Sequence, residues 1–561
     1  ARSHTPELFH IETVRGVGYS LVVPPSAERL SEDGAGVERP SGGSRPDTTR
    51  PKPRLAPVVL ALLVIVAAGL AFAGWRTLHA GTGAPPIARV EVAPFRALRA
   101  GDPDVTRVSQ ATRDAVIRVL RGTDIPVVEA RTTGADATSD ADFHLRGAVD
   151  RDGDAMVINA QLLDRDRRNV LWSGRFERSL STPARFPDQA APRIGDMLHC
   201  ALRSRAASNR PMTDAVLSLM LQACELRRPE PQDAPQFLAA AERLRDAAPQ
   251  LSVAQSMYAT AAAAKSALSP DTPDAAALAT AARAAAGRAL QLDSTNGEAY
   301  FAIGISYGFD RAWAAREANF LRAEALSQGF NIMGDIHVRL LREVGRLRDA
   351  RELNLHTAAD DPFGSDQVST LILLTALTDG REAAEPLLQR FRLVASPEDT
   401  DGLRFNLTFW WDSPEAARAL LATTDNGSVG LKSCFEDYLV EVERPSPHRG
   451  LPDSCRMLQL DWRIRMLARE GDIDGAYREI AQAPRGSSLL LALYYPEMRA
   501  FRADPRFMPL AARYGLVDYW ARSGRWPDFC TESDRPYDCA AVARGLVDPS
   551  RPTPDLKPVP R

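Results

Sequence analysis

The chain carries no HExxH, no GxSxG and no P-loop, and Gly16-Val17-Gly18 runs on into Tyr19-Ser20-Leu21 instead of completing GxGxxG. Those absences argue against the common hydrolase, metalloprotease and nucleotide-binding chemistries, and the chain reads as a non-enzyme that needs no cofactor. Histidine is scarce, with eight residues scattered without ligand spacing, and no CxxC or His–Cys cluster exists, so no metal site is expected. A net charge of −3 over 561 residues gives no global field that would draw nucleic acid. Cysteine is missing from the first 199 residues; all six (Cys200, Cys224, Cys434, Cys455, Cys530, Cys539) come later.

What is present begins with a run free of charge. Leu55–Trp75 reads LAPVVLALLVIVAAGLAFAGW, and at ~1.5 Å per residue its 21 residues match the ~30 Å hydrocarbon core of a bilayer. A buried globular helix is seldom so long and apolar, and a secretory signal peptide would not follow a segment that looks folded. Arg39, Arg45, Arg50, Lys52 and Arg54 precede the run and only Arg76 follows it closely, which puts the N-terminal side in the cytoplasm. A bacterial inner-membrane protein with a periplasmic C-terminus is therefore expected. Gly69 and Ala73 give a small-xxx-small spacing through which two such helices could form a homodimer. Six cysteines confined to the far side suit an oxidising compartment, with Cys530–Cys539 around TESDRPYD the foremost disulfide candidate and Cys200–Cys224 and Cys434–Cys455 the weaker pairs; buried free thiols are the alternative.

Composition divides the rest. Residues 1–23 hold two β-patterned runs, Phe9–Val14 and Tyr19–Val23, about an Arg-Gly-Val-Gly turn. The first residue is Ala, and this segment reads as the end of a domain whose beginning is missing. Residues 24–54 are rich in Ser, Gly, Pro, Glu and Arg and read as a disordered linker. Residues 87–203 read as a small α/β unit with strands at Ile87–Phe95, Ile125–Ala130, 142–150, 155–164 and 169–178, and helices at Val105–Arg121 and Pro183–Leu202. Asp150, Asp152 and Asp154 invite a calcium loop, but Ala155 and Gln161 stand where that loop needs Gly and Glu, so a hairpin turn is preferred. Residues 211–546 repeat helix after helix with a spacing near 34 residues, and 547–561 read as a frayed tail. The fold class expected is mixed but mainly α: a helical solenoid, a small α/β domain, one transmembrane helix and a β-hairpin remnant.

Three stretches resemble known families. Ile11, Thr13-Val14-Arg15-Gly16, Gly18-Tyr19 and Leu21 resemble the C-terminal wing of the OmpR/PhoB-type winged-helix DNA-binding domain. The resemblance implies that Thr13, Arg15, Gly16, Gly18 and Tyr19 lie against promoter DNA, with Arg15 the phosphate or minor-groove contact. The recognition helix that would read bases is not in this sequence. A wing, linker, single span and outer domain together resemble ToxR/CadC-like one-component regulators, in which an outer domain senses a periplasmic protein or ligand. The element order at 87–203 is similar to TolB N-terminal-like modules. The stretch 282–326 resembles tetratricopeptide repeats: Ala282, Ala286 and Ala289 take small-residue positions, and Tyr300, Ile303, Gly304, Tyr307, Phe320 and Ala323 continue the spacing, while Arg316 departs from it. Weaker echoes include Gly345, Ala350 and Asn354. The aromatic-rich 504–527 stretch resembles the closing segment of such sensors and would cap the repeats. These likenesses imply a membrane-anchored transcriptional regulator. A periplasmic repeat scaffold and an adenylate-cyclase-like signalling protein are the alternatives.

Overall fold

Strand β1 (His10–Val14) pairs antiparallel with β2 (Gly18–Val22), with Thr13 opposite Tyr19 and Val14 opposite Gly18. The computed structural model describes residues 10–14, 18–22, 87–99, 101–129, 140–179, 186–227, 232–308, 312–326, 331–360, 365–394, 397–423, 429–442, 450–482 and 489–547. Arg15 and Gly16, the 24–54 linker, the Leu55–Trp75 run and nearly all of the 547–561 tail lie outside them. Among the described residues no helix is long and apolar enough to cross a membrane. Residues 1–86 and 87–561 form two separate units.

The second unit opens with a mixed sheet. Strand β3 (Val90–Val92) runs parallel to both β5 (Val127–Glu129) and β6 (Phe143–Asp152), and the short β4 (Arg96–Ala97) also lies parallel to β6. Strands β6, β7 (Ala155–Leu163) and β8 (Val170–Ser179) then fold back and forth, giving the order β5-β3-β6-β7-β8. The acidic stretch at 150–154 is the β6–β7 hairpin turn, where Asp152 faces Ala155 and Gly153 takes a φ of +58°.

Helix α1 (Pro103–Arg121) supplies the crossover. Asp102 caps it by accepting from the N–H groups of Asp104 and Val105, Pro103 starts it, and Arg118 and Arg121 stand at its negative end. Its apolar stripe (Val105, Val108, Val116, Leu120) is buried. Helix α2 (Phe186–Ala206) packs on α1 at Gly195, where any Cβ would overlap the Val119 side chain.

From here the chain is helical: α3 (Asp214–Glu225), α4 (Ala234–Ala247), α5 (Ser252–Leu268), α6 (Ala275–Leu292), α7 (Gly297–Ser306), α8 (Trp313–Leu326), α9 (Asn331–Glu343), α10 (Leu347–Asp360), α11 (Ser365–Asp379), α12 (Arg381–Val394), α13 (Pro397–Trp411), α14 (Pro414–Thr423) and α15 (Val429–Val442). Each packs against the next, and α5 also touches α7. Asn296 shows how: it caps α7 by accepting from the Ala299 N–H, while its amide donates to Ser252 and Ser256 of α5 at 2.7 and 3.2 Å. Ala282, Ala286 and Ala289 are fully buried, as are Phe320 and Ala323, whereas Tyr300 and Tyr307 are half-buried. Gly304 of α7 lies flat against the Phe320 ring of α8. Arg316 does not break α8; it is buried with Glu343 at 3.4 Å and lies over the Trp313 ring.

No gap separates the sheet from the helices. One core runs from Val90 through Ala302. Trp172 of β8 donates to Glu225 of α3 at 2.9 Å, and a Cys200–Cys224 disulfide joins α2 to α3. The expected boundary between 203 and 211 therefore falls inside a continuous core that runs from Val90 to Ala302.

Candidate functional site

The last elements are α16 (Leu460–Arg469), α17 (Ile473–Ala481), α18 (Leu489–Ala492), α19 (Arg499–Ala503), α20 (Phe507–Arg513), α21 (Leu516–Ser523), α22 (Asp528–Thr531) and α23 (Cys539–Ala543). Short helices broken by Pro and Gly let the chain turn back on itself. Gly515 and Gly524 bracket α21 with φ of +73° and +69°, a conformation costly for any residue with a Cβ. The aromatic face so presented closes over α8–α10. The Trp313 indole donates to the Tyr514 carbonyl at 2.8 Å, and the Trp520 indole to the Val344 carbonyl at 2.9 Å.

A buried ionic cluster accompanies the closure. Glu317 of α8, only 1% exposed, accepts from Arg346 at 2.6 Å, from the Tyr519 hydroxyl at 2.9 Å and from Arg525. Burial pushes its carboxyl up, but Arg346 and Arg525 outweigh that and hold it below the ordinary carboxylate range. The same burial, with Glu317 nearby, pushes the Tyr519 hydroxyl up. Two charges with three hydrogen bonds satisfy what a lone buried carboxylate could not.

Beside this cluster lies a cavity of about 240 Å³. Its floor is the turn after α9: Gly345 has a φ of +80°, and a Cβ there would meet Tyr494 at 2.5 Å and Pro527 at 2.8 Å. The Asp528 N–H donates to the Gly345 carbonyl, and the Asp528 carboxylate accepts from the Arg348 N–H, each at 2.9 Å. Burial raises the Asp528 carboxyl above its usual range. The outer wall is the 531–538 loop, which the Cys530–Cys539 disulfide pinches shut, its Cα atoms 5.8 Å apart. Arg499 pairs with Asp534 of that loop at 2.6 Å, and Arg348 with Glu532 at 3.5 Å.

The inner wall holds Arg502, 8% exposed. Its guanidinium donates to the Leu493 and Tyr495 carbonyls at 2.8 and 2.9 Å and lies over the Phe529 ring. Among the described residues no carboxylate stands within ion-pair distance of it. Burial accordingly pushes its pKa down to about 10.

Arg348, Arg499, Arg502 and Arg535 around this cavity carry no signal in the sequence, because isolated arginines in charged helices read as solvated. The other candidates are dispersed. Thr13, Gly18 and Tyr19 belong to the first unit's hairpin, and Cys434–Cys455 forms a disulfide beneath the Phe405–Phe409–Phe435 aromatic cluster, its Cα atoms 4.7 Å apart. Among the described residues no group of His, Cys, Asp and Glu is arranged to hold a metal ion. No protein-family model matches the chain, and no curated protein matches it.

Proposed function

We propose that this chain is part of a membrane-anchored, DNA-binding transcriptional regulator whose helical repeats form a periplasmic sensor. The observation that carries the reading is the antiparallel hairpin His10–Val14/Gly18–Val22 bearing the wing-like Thr-Val-Arg-Gly-Val-Gly-Tyr motif. A wing of this kind sets Arg15 against the DNA backbone, where a guanidinium fork suits phosphate oxygens. The charge-free Leu55–Trp75 run supports a membrane anchor. All three disulfides belong to the segment beyond that run, which supports an oxidising compartment there. The alternating helices of 211–546, with Gly304 seated on Phe320, support a tetratricopeptide-like array on which a partner or ligand is bound. Occupancy on the outer side would shift the association of two membrane helices and so the spacing of two DNA-binding domains on their half-sites.

The test is chromatin occupancy by the intact protein in its own cell. Enrichment at defined promoters, reduced by Arg15→Ala and altered by deletion of residues 211–546, is the expected result. Absence of promoter enrichment overturns the reading in favour of an envelope scaffold.

A further inference from the structure

The geometry points to the cavity between α9, α19 and the disulfide-closed 531–538 loop as a binding site for a small monocarboxylate with an apolar body. This goes beyond the regulator reading and does not depend on it, because the site is defined by its own chemistry.

Charge argues first. Arg348, Arg499, Arg502 and Arg535 line the cavity against Asp528, Glu532 and Asp534, an excess of one positive charge. Arg348 and Arg499 are paired with Glu532 and Asp534, whereas buried Arg502 is held by two carbonyls and the Phe529 ring, with Glu532 and Glu497 acting on it from beyond ion-pair distance. A buried cation with no carboxylate in direct contact is costly, and a bound anion lowers that cost. One excess charge balances one carboxylate. A dianionic phosphate would leave uncompensated negative charge beside three carboxylates. The planar fork of a guanidinium also matches a carboxylate edge.

Shape and polarity supply the rest. Leu347, Leu377, Tyr494 and Phe529 give the cavity apolar wall, so the molecule that brings the carboxylate is expected to bring an aromatic or aliphatic body. The volume of about 240 Å³ falls under the ~300–1,000 Å³ of sites for drug-sized ligands, which limits the body to about a single ring or a short chain. The pairs Arg348–Glu532 and Arg499–Asp534 are half-exposed and span the cavity's mouth, so Glu532 and Asp534 act as internal competitors that a ligand carboxylate displaces.

The experiment is titration calorimetry on the full chain in detergent with benzoate and hexanoate as probes, and benzamide and inorganic phosphate as controls. Benzoate and hexanoate are expected to bind and the controls not. Arg502→Gln is expected to weaken benzoate about tenfold, the loss of one charge-assisted contact. Because Arg502 also braces two carbonyls, Glu532→Gln at a half-buried wall position and Arg535→Gln at an exposed one serve as second variants: the first is expected to tighten benzoate several-fold and the second to weaken it. Benzamide binding as tightly as benzoate overturns the assignment. So does phosphate binding in place of the carboxylates, no binding of either carboxylate at millimolar concentration, or benzoate affinity indifferent to Glu532→Gln and Arg535→Gln.

Discussion

The indole of Trp520 donates to the backbone carbonyl of Val344, 176 residues earlier, at 2.9 Å, and Trp520 is wholly buried. This bond ties α21 to the turn that follows α9, the turn that forms the floor of the cavity.

Replacing Trp520 tests that tie. Trp520→Ala is expected to destabilise the protein by about 3–5 kcal/mol through the cavity it leaves. Trp520→Phe retains most of the ring volume but strands the Val344 carbonyl, at about 1–3 kcal/mol. Urea unfolding of the two variants should rank them in that order, and a Trp520→Phe midpoint equal to that of the unsubstituted protein would show that the hydrogen bond adds nothing.

Gly304→Ala sets two effects against each other. In a helix interior Ala is better than Gly by roughly 1 kcal/mol. At Gly304, however, the new methyl would overlap the Phe320 ring, which is itself buried and held beside Phe301 and His337. Overpacking of that kind costs about 1–3 kcal/mol, so the variant is expected to be net destabilised. A Phe320→Leu background should restore much of the loss, and a double-mutant cycle measures the coupling.

The Glu317 cluster predicts a pH dependence with a definite sign. Its folded-state carboxyl lies below the ordinary range, so its contribution is fully present above the unfolded value of about 4.3 and is lost as pH falls through the lower folded value. Glu317→Gln leaves Arg346 and Arg525 without their buried counter-charge and is expected to cost about 3 kcal/mol at neutral pH. Thermal melts of both proteins from neutral pH to below 4 should converge at the acid end; parallel curves would remove Glu317 as the titrating group.

Reduction should act unequally on the three disulfides. The chain-entropy account gives about 3.5 kcal/mol for the 24-residue separation of Cys200–Cys224 and about 2.5 kcal/mol for the nine-residue separation of Cys530–Cys539. Single Cys→Ser pairs melted without reductant resolve the order. In intact cells all six cysteines should resist alkylation until reductant is added, and ready labelling would contradict an oxidising compartment.

The sequence shows local relationships and hides distant ones. Apolar spacing over Val105–Arg121 marks α1, which the Asp102 cap starts two residues earlier at Pro103, and the repeat spacing sets Gly304 and Phe320 at positions that meet. The mainly helical character with a small mixed sheet follows from periodicity in the same way. The aromatic stretch at 504–527 announces an apolar surface, yet nothing in its spacing names α8–α10 as the surface it covers. Periodicity tells which face of a helix is buried and not what buries it. Arg502 is hidden for a related reason: its partners Leu493 and Tyr495 lie in the turn after α18, and Phe529 lies in α22, more than 30 residues further on. The shared core of sheet and helices was equally illegible, since Trp172 and Glu225 meet only in three dimensions.

The tie between Val344 and Trp520 also sets a timetable. At ~5–20 residues per second, the ribosome delivers Trp520 roughly 10–35 s after Val344. During that interval α8–α10 are complete as helices while Trp313 and Val344 still await their partners. A nascent chain in this state exposes an apolar surface that the segment around Tyr514 and Trp520 will later cover, which makes it a natural client for a holding chaperone until that segment emerges.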